Sequence, residues 1–230
     1  MTSRYLIPAV FLMAAGMAFA EPKITMTVQA VQTDDPQGYA QALAKSSELV
    51  KARTGIEKLN HVWVGDFAGD ASGEVFVVRT FPSAASMYAN MDKMKNYPEM
   101  DLLLAHLKGM RHLGSSVLYK AVRFEGAYPD GAVFNTSIVC SDEAAYVKLL
   151  DGLKATIEAG GFKDAKVNLW RVVSGRSHST HLVSIALPSQ TRVAELLDKL
   201  NDENLLADWY VSAAKLRTTV HNGTYHEITK

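Results

Sequence analysis

The sequence of 230 residues predicts an α+β fold made of two tandem copies of one βαββαβ unit. The first observation is that pairs of residues recur at a nearly constant spacing. Val62-Trp63 recurs as Leu169-Trp170 after 107 positions, and Phe81-Pro82-Ser83 recurs as Leu187-Pro188-Ser189 after 106. The second observation is that each half shows the same succession of strand and helix patterns. We therefore assign the two copies to residues 21–126 and 127–230.

The strands are predicted from the alternation of apolar and polar residues, which is typical of a half-buried strand. In the first copy this pattern covers four segments, which are Ile24 to Val31, Leu59 to Phe67, Glu74 to Phe81 and Ser115 to Phe124. The second copy repeats them as Ala132 to Cys140, Val167 to Val173, His178 to Leu187 and Thr218 to Ile228. Glycine-rich and serine-rich turns separate the two middle strands of each copy.

The helices are predicted from their start and stop signals. Asp34-Asp35-Pro36 is typical of a helix N-terminus, and Gly55 supplies the stop. The counterpart in the second copy begins at Ser141-Asp142 and ends at Gly160-Gly161. A second helix follows each Pro-Ser pair, and these helices cover about Ala84 to Leu107 and about Thr191 to Leu216.

The order β-α-β-β-α-β is the split βαβ, or ferredoxin-like, arrangement, in which both helices cover one face of a four-stranded antiparallel sheet. The other face stays uncovered in each copy. Because the strands are apolar on both sides, we expect the two sheets to pack face to face within one chain as an intrachain α+β barrel. A monomer is then sufficient for the barrel, and further oligomers through the helices or a sheet edge remain open.

In its element order, its duplication and its Trp63/Trp170 pair, the chain resembles the dimeric α+β barrel superfamily in a fused two-copy form. The resemblance covers nearly all of residues 24–230. The families of this superfamily include antibiotic-biosynthesis monooxygenases that need no cofactor, haem-degrading monooxygenases and NIPSNAP-like proteins, and the resemblance implies that the chain is similar to one of them. Membership of this superfamily does not by itself choose among these activities.

The N-terminus has the organisation of a secretory signal. Arg4 precedes an apolar run from Tyr5 to Ala15, and Ala18-Phe19-Ala20 forms an A-x-A cleavage site. We therefore assign residues 1–20 to a signal peptide that is cleaved near Ala20, and we expect a periplasmic or secreted product. The apolar run is shorter than the roughly 20 residues that cross a bilayer, so no membrane span is expected.

Charge and composition exclude several classes of partner. Twenty-four basic residues balance 24 acidic ones, so no basic field is available for binding nucleic acid. The single cysteine, Cys140, excludes an intrachain disulfide. No metal site is predicted, because His178 and His181, three residues apart in a strand, point to opposite faces.

Strand alternation also selects the side chains that we expect inside the barrel. Thr25, Thr27 and Gln29 of the first strand are assigned to the interior, as are Thr80, Leu182 and Ser184 of the third strands. The interior residues to which we assign a function are His61 and His178 as candidate catalytic bases, and Trp63, Trp170, Asn168, Glu74, Phe76 and Asn135 as ligand-binding residues. An apolar pocket with a few polar groups suits a small organic molecule.

Two functions follow from this interior. In the first, the barrel binds a small apolar or aromatic molecule and oxidises it in a monooxygenase-like reaction, in which His61 or His178 removes a proton and Trp63, Trp170 and Asn168 position the ring. The sequence requires no cofactor for this reaction, and haem is a less favoured alternative as the bound group. In the second, the barrel is filled by its own side chains and serves as a non-catalytic structural or protein-interaction module. An empty volume bounded by Trp63, Trp170 and His61 distinguishes the first from the second.

Overall fold

The structure, a computed structural model, describes residues 22–228 except 56, 58–59, 96, 176 and 203–204. The predicted signal peptide at 1–20 lies outside these residues. The eight strands are β1 (Thr25–Gln32), β2 (His61–Gly65), β3 (Val75–Phe81), β4 (His112–Arg123), β5 (Ala132–Cys140), β6 (Lys166–Gly175), β7 (His181–Leu187) and β8 (Arg217–Glu227). The six helices are α1 (Pro36–Thr54), α2 (Ala84–Met94), α3 (Pro98–Met110), α4 (Glu143–Ala159), α5 (Gln190–Asp202) and α6 (Ala207–Ala213).

The α+β class is confirmed, and the eight strands form one antiparallel sheet. Its strand order is β1-β3-β2-β8-β5-β7-β6-β4, and β4 pairs with β1, so the sheet closes on itself. The first four strands are neighbours in this order, and so are the last four. The two sets meet edge to edge, through β2 with β8 and β4 with β6. The two four-stranded sheets that we expected to pack face to face are thus also joined at their edges into one closed sheet.

The helices cover the outer face of the sheet. In the first half, Tyr39 and Leu43 of α1 and Leu107 of α3 pack on Val62 and Val77. The second half has a larger core of the same kind, formed by α4, α5 and α6 over β5, β6 and β7. A third cluster lies on the inner face of the sheet and contains Met26, Tyr119, Ala121 and Trp170.

Local signals place the ends of the first helix as predicted. The Asp35 carboxylate accepts a hydrogen bond from Gly38 N at 2.8 Å, which satisfies one of the free N–H groups of the first turn of α1. Gly55 ends the helix at φ +73°, a left-handed conformation that glycine adopts without a Cβ penalty. Asp142 caps α4 in the same way, through Ala145 N at 2.9 Å.

The long second helix predicted in each half is wrong, because each consists of two helices. In the first half, α2 ends at Met94 and α3 begins at Pro98. Proline lacks a backbone N–H and its ring clashes with the preceding turn, so a continuous helix through this position is unfavourable, whereas proline suits the first turn of a new helix. In the second half, the break separates Asp202 from Ala207. None of the described helices is long and apolar enough to cross a membrane.

Candidate functional site

The inner face of the sheet encloses a cavity of about 430 Å³. All eight strands contribute to its wall, together with the segment between β4 and β5. Aromatic rings make up much of the lining. Phe76 and Tyr225 contact each other edge to face with ring centroids 5.6 Å apart, and Phe124 and Trp170 do so at 5.4 Å. A volume of this size is within the range of small-molecule pockets, about 300–1,000 Å³.

Most of the side chains predicted for the interior lie in this cavity. Of those assigned a role, the cavity wall contains His61, Trp63, Phe76, Asn135, Asn168 and Trp170. Thr80, Leu182 and Ser184 also line it. In β2, β3, β5, β6 and β7, the alternate side chains that face the interior are therefore the predicted ones.

Two predicted site residues lie elsewhere. His178 is exposed in a bend three residues before β7 begins, because that strand is shorter than predicted. Glu74 is half-buried just before β3 and is not part of the cavity wall. Burial raises the pKa of the Tyr225 phenol, and the nearby charge of Glu74 adds to this effect.

The interior assignment of the first strand is also wrong. Met26 and Val28 line the cavity, whereas Thr27 and Gln29 face the opposite side of the sheet. The polarity of β1 misled the prediction, because both of its faces are covered by other parts of the chain. The register supports the new assignment, since Val28 pairs with Val78 as Asn135 pairs with Ser184 in the second half.

The main chemical feature of the cavity is a histidine paired with a carboxylate. His61 Nδ1 lies 2.8 Å from Glu227 Oε1, and Glu227 Oε2 accepts a hydrogen bond from Asp130 N at 3.1 Å. The Glu227 side chain is 1% exposed and that of His61 is 26% exposed. A carboxylate held in this way favours the tautomer in which Nδ1 carries the proton, which leaves Nε2 as the basic nitrogen. None of the described residues forms a hydrogen bond with His61 Nε2.

Two buried phenols add hydrogen-bond donors. Burial raises the pKa of Tyr119 to about 12, with a smaller contribution from Tyr225, so this side chain stays protonated at neutral pH. Tyr119 is 7% exposed, and within the described part of the chain its hydroxyl has no hydrogen-bond partner. Tyr225 Oη lies 3.3 Å from His221 Nε2. These phenols can donate to an oxygen on which negative charge develops.

Two further polar atoms of the wall are unpaired. Trp63 Nε1 and Asn135 Oδ1 are shielded from solvent and have no hydrogen-bond partner in the described structure. An unpaired buried polar group costs about 1–3 kcal/mol. Such a cost is common at binding sites, where a ligand supplies the missing partner.

Asn168, which we predicted to bind the ligand, forms its side-chain hydrogen bonds with backbone groups of the segment that follows β4. Its Oδ1 accepts hydrogen bonds from Glu125 N at 2.8 Å and Gly126 N at 3.3 Å, and its Nδ2 donates to Gly126 O at 2.9 Å. The amide therefore holds the segment that connects the two halves. This segment forms part of the cavity wall, so Asn168 shapes the site through it.

The cavity wall does not fit haem. Haem carries two carboxylates, and none of the described lining residues is a lysine or an arginine. The wall instead contains the buried carboxylate of Glu227. A bound haem would add two carboxylates to a wall that already contains Glu227 and that has no lysine or arginine among its described residues, which is unfavourable in a buried site.

Several cavity residues were not predicted from the sequence, including Tyr119, Tyr225, His221 and Glu227. The last strands were not sorted by face, although alternation along β8 was available as a signal. His221, Tyr225 and Glu227 all have odd numbers and share the inner face, whereas His226 faces Asp66 outside the cavity. The pairing of Trp63 with Glu227 brings this strand beside β2.

No family model matches the chain, and no curated protein matches its sequence significantly. Solved structures share its fold. A proposed monooxygenase from Lactobacillus acidophilus superposes with a TM-score of 0.54 at 7% identity, over 89% of this chain and 93% of that one. An anthrone oxidase-like protein gives 0.51 at 10%, over 89% and 91%. A chlorite dismutase from Candidatus Nitrospira defluvii gives 0.51 at 11%, over 90% and 93%. The likeness is one of fold, and it agrees with the α+β barrel fold that the resemblance in element order implied.

Proposed function

We propose that the interior cavity binds an electron-rich aromatic molecule and that His61 removes a proton from it, as the first step of a monooxygenase-like reaction without a cofactor. The observation that carries the proposal is the His61–Glu227 pair at 2.8 Å in the wall of an aromatic cavity. The likeness of the fold to a proposed monooxygenase and an anthrone oxidase-like protein supports the same reaction class.

The wall offers one group for each part of this chemistry. His61 Nε2 accepts the proton, and Glu227 stabilises the imidazolium that forms. Tyr119 donates to the oxygen of the resulting anion, while Phe76, Trp63 and Trp170 contact the ring system. Removing water from around the anion strengthens each of these interactions.

The overall reaction balances with molecular oxygen as the oxidant. For a methylene group between two aryl rings, the base removes one proton and the resulting carbanion reacts with O₂ to give a hydroperoxide. Loss of water from this hydroperoxide leaves a carbonyl group. One oxygen atom enters the product, and the second leaves as water together with the two hydrogens of the methylene.

Oxygen uptake and tryptophan fluorescence test this proposal on purified protein. With anthrone and a panel of apolar quinols, we expect saturable quenching of tryptophan fluorescence and substrate-dependent oxygen uptake. His61→Ala should lower the rate by about 10²- to 10⁴-fold, the usual contribution of a positioned base. Glu227→Gln should lower it less, because the imidazole remains.

His226→Ala is the matched control, since His226 Nδ1 also pairs with a carboxylate, Asp66 at 2.9 Å, but outside the cavity. It should leave quenching and oxygen uptake unchanged. The proposal fails if no panel member quenches the wild-type protein and His61→Ala lowers the melting temperature markedly. The filled, non-catalytic module would then be the better description.

Export and duplication are separate proposals. We propose that residues 1–20 direct secretion and are removed near Ala20, and that residues 21–126 and 127–230 are tandem copies that together form an intrachain barrel. The equivalent strand order of the two halves supports the duplication. Mass determination of the protein from an exported fraction tests the cleavage, and an N-terminus at Glu21 is expected.

A further inference from the structure

A second cavity, of about 480 Å³, lies on the outer face of the sheet between α2 and strands β1, β3 and β4, with residues of α1 and β6 at its edges. It is separate from the interior site because alternate residues of the same strands line the two spaces. On β1, Thr27 and Gln29 face the outer cavity, whereas Met26 and Val28 face the inner one. On β3, Arg79 faces the outer cavity and Val78 the inner one.

Arg79 is the only cationic side chain among the described residues that line this outer cavity. Its Nε donates a hydrogen bond to Asn60 Oδ1 at 2.6 Å. No carboxylate of the described chain pairs with it, and Nη1 and Nη2 have no hydrogen-bond partner there. Burial lowers the pKa of Arg79, and the neighbouring Arg111 adds to this effect while Tyr39 opposes it.

A buried polar network of Asn60, Ser46 and Ser47 holds the Arg79 side chain in its orientation. Asn60 is 2% exposed, and its Nδ2 donates to Ser46 Oγ at 3.0 Å and Ser47 Oγ at 3.1 Å. Because Asn60 Nδ2 donates to these two serines of α1, Asn60 Oδ1 is the atom that accepts the hydrogen bond from Arg79 Nε. Because Nε is bound to Asn60, Nη1 and Nη2 are the nitrogens that remain for a ligand, and together they form a fork that can bind a carboxylate with two parallel hydrogen bonds.

The second half of the chain shows that the fold does not need the Arg79–Asn60 hydrogen bond. The registers make Thr27–Arg79 equivalent to Phe134–Ile185, because Val28–Val78 and Asn135–Ser184 are equivalent pairs. Ile185 pairs with Val167, the counterpart of Asn60, and both are buried in an apolar core. In contrast, the Arg111–Tyr39 hydrogen bond recurs as Arg217–Tyr146, as expected of a structural contact.

The rest of the outer cavity is mostly apolar and adaptable. Its wall includes Val50, Phe81 and Leu118 and three methionines of α2, which are Met87, Met91 and Met94. Methionine side chains are unbranched and flexible, so they accommodate a chain of methylene groups. A single guanidinium at one side of such a cavity matches one negative charge attached to an apolar tail.

We propose that the outer cavity is a binding site for a medium-chain fatty acid, whose carboxylate is held by Arg79 and whose tail lies against α2. The site does not depend on the proposed activity of the interior cavity. Decanoate is the probe, and 1-decanol is its neutral counterpart. Titration calorimetry on the full chain should detect decanoate binding at one site and binding of 1-decanol that is about 10- to 100-fold weaker.

Variants locate the site. Arg79→Met should weaken decanoate binding to the level of 1-decanol, and Thr27→Phe, which introduces the residue found at the equivalent position 134, should abolish it by filling the cavity. Asn60→Val with Arg79→Ile reproduces the pair of the second half, so it should fold even if Arg79→Met does not. Arg192→Met, which changes an arginine paired with Asp164 away from both cavities, is the control and should bind decanoate normally.

Decanoate binding should also persist in the presence of a quinol that saturates the interior cavity. The proposal is overturned if the wild-type protein does not bind decanoate, or if decanoate and 1-decanol bind equally well. It is equally overturned if folded Arg79→Met or the double variant keeps the wild-type affinity for decanoate.

Discussion

His61 and Glu227 are 166 residues apart in the chain, yet their side chains meet at 2.8 Å because β2 pairs with β8. The pair combines a solvent-shielded carboxylate with a histidine that remains accessible from the cavity. His181 and Glu143 are also 2.8 Å apart, but Thr180 and Arg171 occupy the remaining polar atoms of that cluster. Both histidines contact a carboxylate at the same distance, but only His61 has a ring nitrogen that a ligand in the cavity can reach.

Trp63 and Trp209 should respond differently to the loss of the indole N–H, because this group is unpaired in Trp63 and hydrogen-bonded in Trp209. Trp63 Nε1 is buried without a partner, so Trp63→Phe should leave the free energy of unfolding unchanged or raise it by up to about 1 kcal/mol. Trp209 Nε1 donates to Leu149 O at 3.0 Å, so Trp209→Phe should lower it by about 1–3 kcal/mol. Urea unfolding of both variants makes the comparison, and a marked loss of stability in Trp63→Phe would argue against the assignment of an unpaired N–H.

At the scale of elements, ion pairs fasten α4 to the sheet. Glu143, in the first turn of α4, accepts hydrogen bonds from Arg171 of β6 and from His181 of β7. The hydrogen bond from Arg171 is the main reason why the pKa of Glu143 lies below its ordinary value, with burial opposing it and His181 adding to it. The position at a helix N-terminus is also favourable for a negative charge.

The pH dependence of stability should report this contact. Because the folded-state pKa of Glu143 is lowered, its stabilising contribution is present above the ordinary carboxyl pKa of about 4.3 and is lost as the pH falls through the folded-state value. Glu143→Gln should therefore be less stable than wild type at about pH 7, and the difference should shrink towards about pH 3. Urea unfolding across this range gives the measurement.

Glu195→Gln is the control for this prediction, since Glu195 pairs with Arg192 at an exposed position where ion pairs contribute about 0–1 kcal/mol. A difference between Glu143→Gln and wild type that stays constant with pH would mean that packing, rather than charge, is lost.

At the scale of the whole molecule, the closed sheet is built by a single chain. All eight strand pairings join strands of the same chain, and none of the eight strands has a free edge. Closure protects the strands from pairing with other molecules. It also encloses the inner cavity without the help of a second subunit.

Closure of the sheet predicts that a single chain is stable without a partner. We expect the protein to remain folded as a monomer at micromolar and lower concentrations, because no pairing of the sheet is contributed by a partner. Sedimentation velocity combined with circular dichroism over a dilution series tests the expectation. Unfolding that accompanies dissociation into single chains would contradict it, whereas a folded oligomer that dissociates into folded monomers would agree with it.

Much of the fold was predictable because its signals are local. The period of two in the strands, the Asp35 and Asp142 caps and the stop at Gly55 each act within a few residues. The break between α2 and α3 was also marked locally by Pro98, although the prediction passed over it. The shorter β7, which leaves His178 exposed, was not marked in this way.

By itself, the sequence determined the order of the strands, the starts of the helices that follow β1 and β5, and which side chains of five of the eight strands face inward, because alternation and capping signals are properties of the chain alone. Only the tertiary structure decided that Glu227 is the partner of His61, that Asn168 is committed to the connecting segment and that Arg79 faces a cavity without a carboxylate. Those features depend on which strands become neighbours and in what register. A change of one residue in register moves every side chain of a strand to the other face, so composition and periodicity cannot specify them.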